Sequence, residues 1–93
     1  DQPGRVDPDR LVHEPNRLAI LVVLNAVEEA DFLFLMEQTG LKLGKIAQPV
    51  RVALTGRTAS PGIFEIIAIL GKEKVIARLR RAIDYINQRM AES

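Results

Sequence analysis

The residue types in this chain exclude most catalytic chemistry. It has no cysteine, and His13 is the only histidine. Thiolate nucleophiles and cysteine-ligated zinc are therefore excluded, and one isolated histidine supports neither a metal site nor a Ser/His/Asp constellation. No glycine-rich loop of the phosphate-binding type is present. We predict no catalytic residue, no metal site and no cofactor, and a structural role for His13 before the first helix.

Charge is the residue property that could do chemistry, because it is unevenly distributed. Residues 1–41 hold three basic and eight acidic residues, a net charge of −5, whereas residues 42–93 hold ten basic and four acidic residues, a net charge of +6. Such asymmetry can indicate a nucleic-acid partner for the basic half. The alternative, which composition leaves open, is a dipolar surface without a partner.

Apolar periodicity predicts the elements that must position these charges. No segment alternates apolar and polar residues as a half-buried strand does, so the fold is predicted to be all-α, a single helical bundle of about five helices in one domain. Residues 1–8 read as a loose lead-in. Ile20 and Val23 make the first helix apolar on most sides, which places it deep in the core. The predicted helices are Asn16 to Val27, Asp31 to Thr39, Pro49 to Thr55, Pro61 to Leu70, and Lys72 to Met90.

Prolines and glycines predict where these helices begin and end. Pro15 suits a first helical turn, where its missing N–H costs nothing. Ser60 is predicted to cap a helix with Pro61 at its first position. Gly56 and Gly71 are expected to end helices, because glycine readily adopts the left-handed conformation.

Four short segments in the second half carry a characteristic pattern, and they follow one another in the same order as in a known family, with no insertion or deletion from Leu41 to Ala82. They are Gln48 to Gly56, Ser60 to Glu65, the pair Leu70-Gly71, and the arginine-rich run from Arg78 to Ala82. With them, the stretch from Leu41 to Ala82 resembles the last helices of bacterial glutamyl-tRNA synthetases, from the domain that holds the tRNA anticodon. The family's catalytic motifs, of the His-Ile-Gly-His and Lys-Met-Ser-Lys types, do not occur, so the chain is not expected to be an enzyme.

The resemblance implies a set of positions near the anticodon bases. Ser60, Pro61 and Ile63 match such positions, and a helix N-terminus presents free N–H groups that suit a phosphate or a base edge. Each of the three also has a structural explanation, because Ser60 and Pro61 suit helix capping and Ile63 suits the core.

Four arginines are the charged members of the same implied site. Arg51 and Arg57 are possible charge partners, and Arg78 and Arg81 lie on the last helix. A guanidinium can pair with phosphate or stack on an unpaired base. For Arg51, burial of its stem along the bundle is the alternative. Any tRNA binding is expected to be weak, because most of the family's RNA-binding surface is missing and affinity scales with the phosphates contacted.

The first half carries a different resemblance. Leu11 to Leu21 and Asp31 to Leu35 give residues 9–41 a pattern similar to the opening helices of winged-helix transcription regulators of the MarR/ArsR kind. That family continues with a recognition helix, whereas here Gly40-Leu41 runs into Lys42 to Lys45, so DNA binding is not expected. The two resemblances imply a chimera of residues 9–41 and 42–93 joined at Gly40-Leu41, engineered or recombined, with a natural fusion as the alternative.

The main hypothesis is therefore a structural protein that folds and retains no ligand. The alternative is a weak tRNA- or RNA-binding module. A third possibility is a homodimer that covers apolar surface around Ile20, Val23, Phe32 and Phe34. No apolar run is long enough for a membrane span. The expected location is the cytoplasm, as for the parent families, unless the chain is a recombinant protein.

Overall fold

A computed structural model describes residues 7–31, 33, 48–57 and 62–92 of the chain. The described residues form no β-strand, and the all-α prediction is confirmed. They hold four α-helices, one fewer than the five expected, and the predicted helix from Asp31 to Thr39 lies almost entirely outside them. The elements are a 3-10 helix at Pro8–Leu11, α1 at Glu14–Glu28, α2 at residues 48–55, α3 at Ile63–Leu70 and α4 at Lys72–Glu92.

Helix α1 begins two residues before its predicted start, with Pro15 in its first turn as expected. It ends in a Schellman motif that the sequence does not announce. The N–H of Asp31 bonds to the carbonyl of Ala26 at 2.9 Å, and the N–H of Ala30 bonds to that of Val27 at 3.2 Å. This motif needs a left-handed residue, and Ala30 takes that position with φ of +54°. Glycine usually holds it, because a Cβ makes the conformation costly.

The core is built mainly on the packing of α1 against α4. Ile20 and Val23 on α1 are fully buried, as predicted, and so are Val75, Leu79 and Ile86 on α4. Each such side chain contributes about 1.5–3 kcal/mol of burial free energy. This apolar contact holds the two helices side by side.

Polar contacts tie the outer flank of α4 to α1. The Nε of Arg17 donates to the Oδ1 of Asn87 at 2.8 Å, and the guanidinium of Arg80 pairs with the carboxylate of Glu28. These groups are at least partly exposed, so each pair contributes at most about 1 kcal/mol. Their importance here is geometric, because they show that Arg80 and Asn87 face α1.

Helix α3 starts later than predicted. It begins at Ile63 with Gly62 as its N-cap and without a side-chain cap, so the expected start at Pro61 is wrong by two residues. Glycine at a second helical position disfavours the earlier start, because it has low helix propensity. Ser60 and Pro61 lie outside the described residues. The predicted end at Gly71 is confirmed, with φ of +86°.

Two predictions about surface properties can be compared with this fold. Ile20 and Val23 lie in the core with no exposed surface, so they are not part of an apolar face for a homodimer. Phe32 and Phe34, the other members of that face, fall outside the described residues. Among the helices of the described ranges, none is both long and apolar enough to cross a membrane.

Candidate nucleic-acid interface

The C-terminal end of α2 is held against α4 by an arginine. The Nη1 of Arg78 donates to the carbonyl oxygen of Leu54 at 2.7 Å. Leu54 is one of the last residues of α2, whose final carbonyls have no partner within the helix. A cation there also complements the partial negative charge of the helix end. Arg78 thus has a structural role, but a guanidinium has five N–H donors, and the rest remain available.

Thr55 and Gly56 then turn the chain away from the helix. The hydroxyl of Thr55 donates to the carbonyl of Arg51 at 2.7 Å and accepts the N–H of Arg57 at 3.1 Å. Gly56 is left-handed with φ of +75°, as the sequence predicts for a helix stop, and its N–H bonds to the carbonyl of Val52 at 2.8 Å. These bonds fix the backbone of Arg57 directly after the end of α2, with its side chain exposed.

Arg81 lies one turn after Arg78 on the same side of α4. Residues three apart on a helix are surface neighbours, and both arginines line a cleft that also contacts Thr55 and Gly56. Arg81 is exposed and has no hydrogen bond or ion pair with any residue in the described ranges. The structure therefore brings Arg57, Arg78 and Arg81 together around the end of α2. We call these three residues the arginine cluster.

Arg51 lies on α2, one turn before Thr55, and is only partly exposed. Its Nη1 reaches the Oε1 of Gln48 at 3.4 Å, a long contact within the same helix. Its Nε is buried and finds no hydrogen-bond partner among the described residues. A buried donor without an acceptor costs about 1–3 kcal/mol. The packed stem agrees with the alternative of burial along the bundle, and a contact of Arg51 with RNA stays a prediction.

The remaining predicted site residues lie elsewhere. Ile63 is buried with 4% of its surface exposed and belongs to the core, which is the structural explanation that the sequence left open. Ser60 and Pro61 are outside the described residues, so their predicted contact with bases is not located.

A cleft of about 470 Å³ separates the end of α2 from α4. Ala53 on α2 and Ala82 on α4 are partly buried and line it, and their small side chains leave the space open. Leu11 of the 3-10 helix and the ring of Tyr85 line it as well. The arginine cluster meets this cleft through Arg78 and Arg81. We call it the α2–α4 cleft.

Tyr85 was not among the residues predicted from the sequence. It follows Arg78 by seven residues and Arg81 by four, so helical spacing alone puts all three on one face of α4. Its hydroxyl donates to the Oδ1 of Asp9, and the Nη2 of Arg89 contacts the Oδ2 of Asp9 at 3.3 Å. The hydrogen bond to the Asp9 carboxylate raises the pKa of the Tyr85 phenol, with burial a second cause. The ring is thereby held in place at the cleft.

Other chemistry is not evident in the parts of the chain that the structure describes. His13 precedes α1 as its N-cap residue, but its side chain makes no capping bond. Within the described ranges, no three His, Asp or Glu side chains lie close enough together to hold a metal ion. The arginines and Tyr85 near the end of α2 are residue types suited to binding anions and flat groups.

Two comparisons with known proteins, one with family models and one with individual proteins, point to the same family. A family model described as an anticodon binding domain matches residues 23–83. The glutamate–tRNA ligase of Desulfosudis oleivorans is 54% identical over 72 residues, covering 73% of this chain and 15% of the ligase. The corresponding ligase of Syntrophobacter fumaroxidans is 57% identical over 60 residues, covering 64% of this chain and 13% of the ligase.

These ligases are much longer than the chain, which spans only about 15% or less of their length. No solved structure shows a significant match. The family match begins at residue 23 and runs through Gly40-Leu41. The comparisons therefore do not support a join between unrelated parents at that position, and the interpretation as an engineered chimera is not supported. Because the family model covers about two thirds of its residues, the chain belongs to the anticodon-binding domain family.

Proposed function

We propose that this chain is an RNA-binding module that contacts the anticodon region of a glutamate tRNA and has no catalytic activity of its own. The observation that carries the proposal is the arginine cluster, which gathers Arg57, Arg78 and Arg81 at one helix end. The identity of the RNA partner is inferred from the names of the related ligases, because a glutamate–tRNA ligase acts on that tRNA. The same proposal places the chain in the cytoplasm, where such RNAs are charged.

The electrostatics of the cluster favour a phosphate-bearing partner. Neither Arg78 nor Arg81 pairs with a carboxylate among the described residues, whereas Arg80, on another flank of α4, is paired with Glu28. Arginine is suited to phosphate because its planar fork donates two parallel hydrogen bonds. Arg51 adds an unsatisfied buried donor nearby, and an RNA acceptor that reached it after a side-chain rotation would remove that cost.

The same geometry implies modest affinity. Three or four phosphate contacts release few counterions, and the logarithm of the binding constant should fall with a slope of about −0.7 per contact on single-stranded RNA. Between about 50 and 200 mM salt, this corresponds to a loss of roughly 20- to 50-fold in affinity.

The proposal can be tested by fluorescence anisotropy with a labelled glutamate tRNA at those two salt concentrations. Arg57→Gln and Arg81→Gln should each weaken binding at low salt and reduce the salt slope by about 0.7. The matched control is Arg80→Gln, because it removes the same charge from the flank of α4 that faces α1. Its effect should be clearly smaller.

Two further RNAs make the measurement specific. A glutamate tRNA with its anticodon loop replaced should bind more weakly than the natural tRNA. Equal affinity for the natural tRNA and for random RNA of the same length would refute the proposal, and would favour the sequence-based hypothesis of a structural protein without a ligand. Ser60 and Pro61 remain proposed contacts within this test, whereas Ile63 is proposed only as core. The predicted winged-helix origin of residues 9–41 is not supported, because the anticodon-binding family match already covers residues 23–41.

A further inference from the structure

We infer that the α2–α4 cleft is a binding site for a single unpaired RNA base, with the phosphate of that nucleotide paired to Arg81. The inference rests on the proposed function for the identity of the ligand. It goes beyond that proposal by locating a base contact in a cleft that neither the family match nor the related ligases assign.

The shape of the cleft suits one flat group. Its volume of about 470 Å³ falls in the range of about 300–1,000 Å³ typical of clefts that hold small molecules. Ala53 and Ala82 line the cleft from two different helices. A longer side chain at either position would occupy part of it. The walls are mostly apolar, which favours the face of a base over a fully hydrated group.

The lining chemistry distinguishes a nucleotide from a purely apolar ligand. Tyr85 provides an aromatic ring, and its hydrogen bond to Asp9 fixes the ring without using its face. Unpaired bases are commonly bound by stacking on aromatic rings or guanidinium planes. Arg78 lies at the same cleft but is tied to Leu54, so it is positioned as a second flat surface.

Charge complementarity accounts for the rest of the nucleotide. Arg81 is exposed at the cleft and unpaired among the described residues, which leaves its guanidinium available for a phosphate. Among the described residues that line the cleft there is no carboxylate, and the nearby carboxylate of Asp9 is paired with Arg89 and bonded to Tyr85. An anion at Arg81 would therefore meet a cation directly, while the charge of Asp9 is offset by Arg89. These features together favour a base that carries a phosphate.

The direct test is NMR titration of the full chain with 5′-AMP and with 5′-UMP, using ribose 5-phosphate as the control without a base. Both nucleotides should shift the backbone amides of Ala53, Gly56 and Ala82 in a saturable manner. The amides of Asn87, on the opposite flank of α4, and of Arg17, on α1, serve as internal controls and should not shift. Equal shifts with ribose 5-phosphate would overturn the inference, because the site would then recognise the phosphate alone.

Substitutions separate the base contact from the charge contact. Ala82→Leu should weaken the nucleotide binding without changing the charge, because the added atoms occupy part of the cleft. Arg81→Gln should weaken binding of both nucleotides and of ribose 5-phosphate. Tyr85→Ala should weaken nucleotide binding by about tenfold, as expected from lost stacking, whereas Tyr85→Phe keeps the ring and should have a much smaller effect.

The folded state of each variant is checked by circular dichroism. If Ala82→Leu fails to fold, then Arg81→Gln and the comparison of Tyr85→Phe with Tyr85→Ala decide the question. Unchanged nucleotide binding in a folded Ala82→Leu variant would refute the inference.

Titration of the Ala82→Leu variant with glutamate tRNA distinguishes failure of this inference from failure of the proposed function. If the natural chain binds the tRNA and the variant binds it equally well, the cleft is not a base site but the proposed function stands. If nucleotides shift the cleft amides while the tRNA does not bind, the cleft binds a base but the proposed function is wrong. Binding of the tRNA that weakens at least severalfold in the variant supports both.

Discussion

Replacing Arg78 by methionine tests whether this residue has a structural role as well as a proposed contact with RNA. Methionine retains most of the length of the side chain but removes the donor that reaches the carbonyl of Leu54 at 2.7 Å. A hydrogen bond from a charged donor contributes about 1.5–3 kcal/mol, and the lower end applies because this bond is only partly buried. A cation at a helix C-terminus adds about 0.3–1 kcal/mol. We expect the free energy of unfolding to fall by about 2 kcal/mol.

The matched control is Arg81→Met on the same face of α4. Arg81 is exposed and makes no bond with the described residues, so its replacement should change the free energy of unfolding by no more than about 0.5 kcal/mol. Urea denaturation followed by circular dichroism measures both variants. In thermal denaturation, the Arg78 variant should unfold about 8–16 °C below the natural chain, given about 4–8 °C per kcal/mol for a domain of this size.

Equal stability of the two variants would refute the structural role, since it would show that the bond to Leu54 makes no net contribution. RNA binding gives an independent measurement on the same proteins at a temperature where both are folded. Each variant loses one cation from the arginine cluster, so each should reduce the salt slope of tRNA binding by about 0.7. An unchanged slope for Arg81→Met would show that Arg81 does not contact phosphate.

Four further changes test other parts of the structure. Leu79→Ala should lower the free energy of unfolding by about 2–5 kcal/mol in urea denaturation, because Leu79 is fully buried between helices. Ala30→Gly should raise it by about 0.5–1 kcal/mol, since relief of the left-handed strain at Ala30 exceeds the added entropy of the unfolded chain; a loss of stability would contradict the Schellman assignment. Gly71→Ala should lower it by about 1–3 kcal/mol, because φ of +86° with ψ of 155° is strained for alanine even though no atom obstructs a Cβ. Asp9→Asn should lower the pKa of Tyr85, the only tyrosine, in an ultraviolet titration of the phenol. Because the natural pKa is raised in the folded state, the stabilisation from this bond is present below about pH 10 and is lost as the pH rises through the folded-state pKa.

The parts of the fold that were predictable from the sequence depend on local pattern. Pro15 predicts the beginning of α1, and Gly71 predicts the end of α3, because each residue constrains its own backbone. The fully buried Ile20 and Leu79 follow from helical periodicity, which repeats over several turns and is robust to errors of one or two residues. Leu18 shows the limit of such patterns, because it is 51% exposed although it lies on the helix predicted to be deep in the core.

The candidate site was only partly predictable, because its geometry depends on contacts between distant segments. The arginines could be named from the sequence, but nothing in it indicates that Arg78 bonds to Leu54, which lies 24 residues earlier. The α2–α4 cleft is lined by the small side chains of Ala53 and Ala82 from two different helices, and neither alanine is unusual in its own segment. Tyr85 could have been found by extending the spacing of Arg78 and Arg81 along α4.

The pairing of α1 with α4 has a consequence for how the chain folds. The two helices that form most of the core are linked by contacts such as Arg17 with Asn87, which lie 70 residues apart. A contact of that separation requires closure of a long loop before burial compensates for the lost chain entropy. Helices α3 and α4 are adjacent in sequence and can pair early, whereas α1 must wait for α4. Folding should therefore be slower than in helical proteins dominated by local contacts, and closure of α1 onto α4 should be the rate-limiting step.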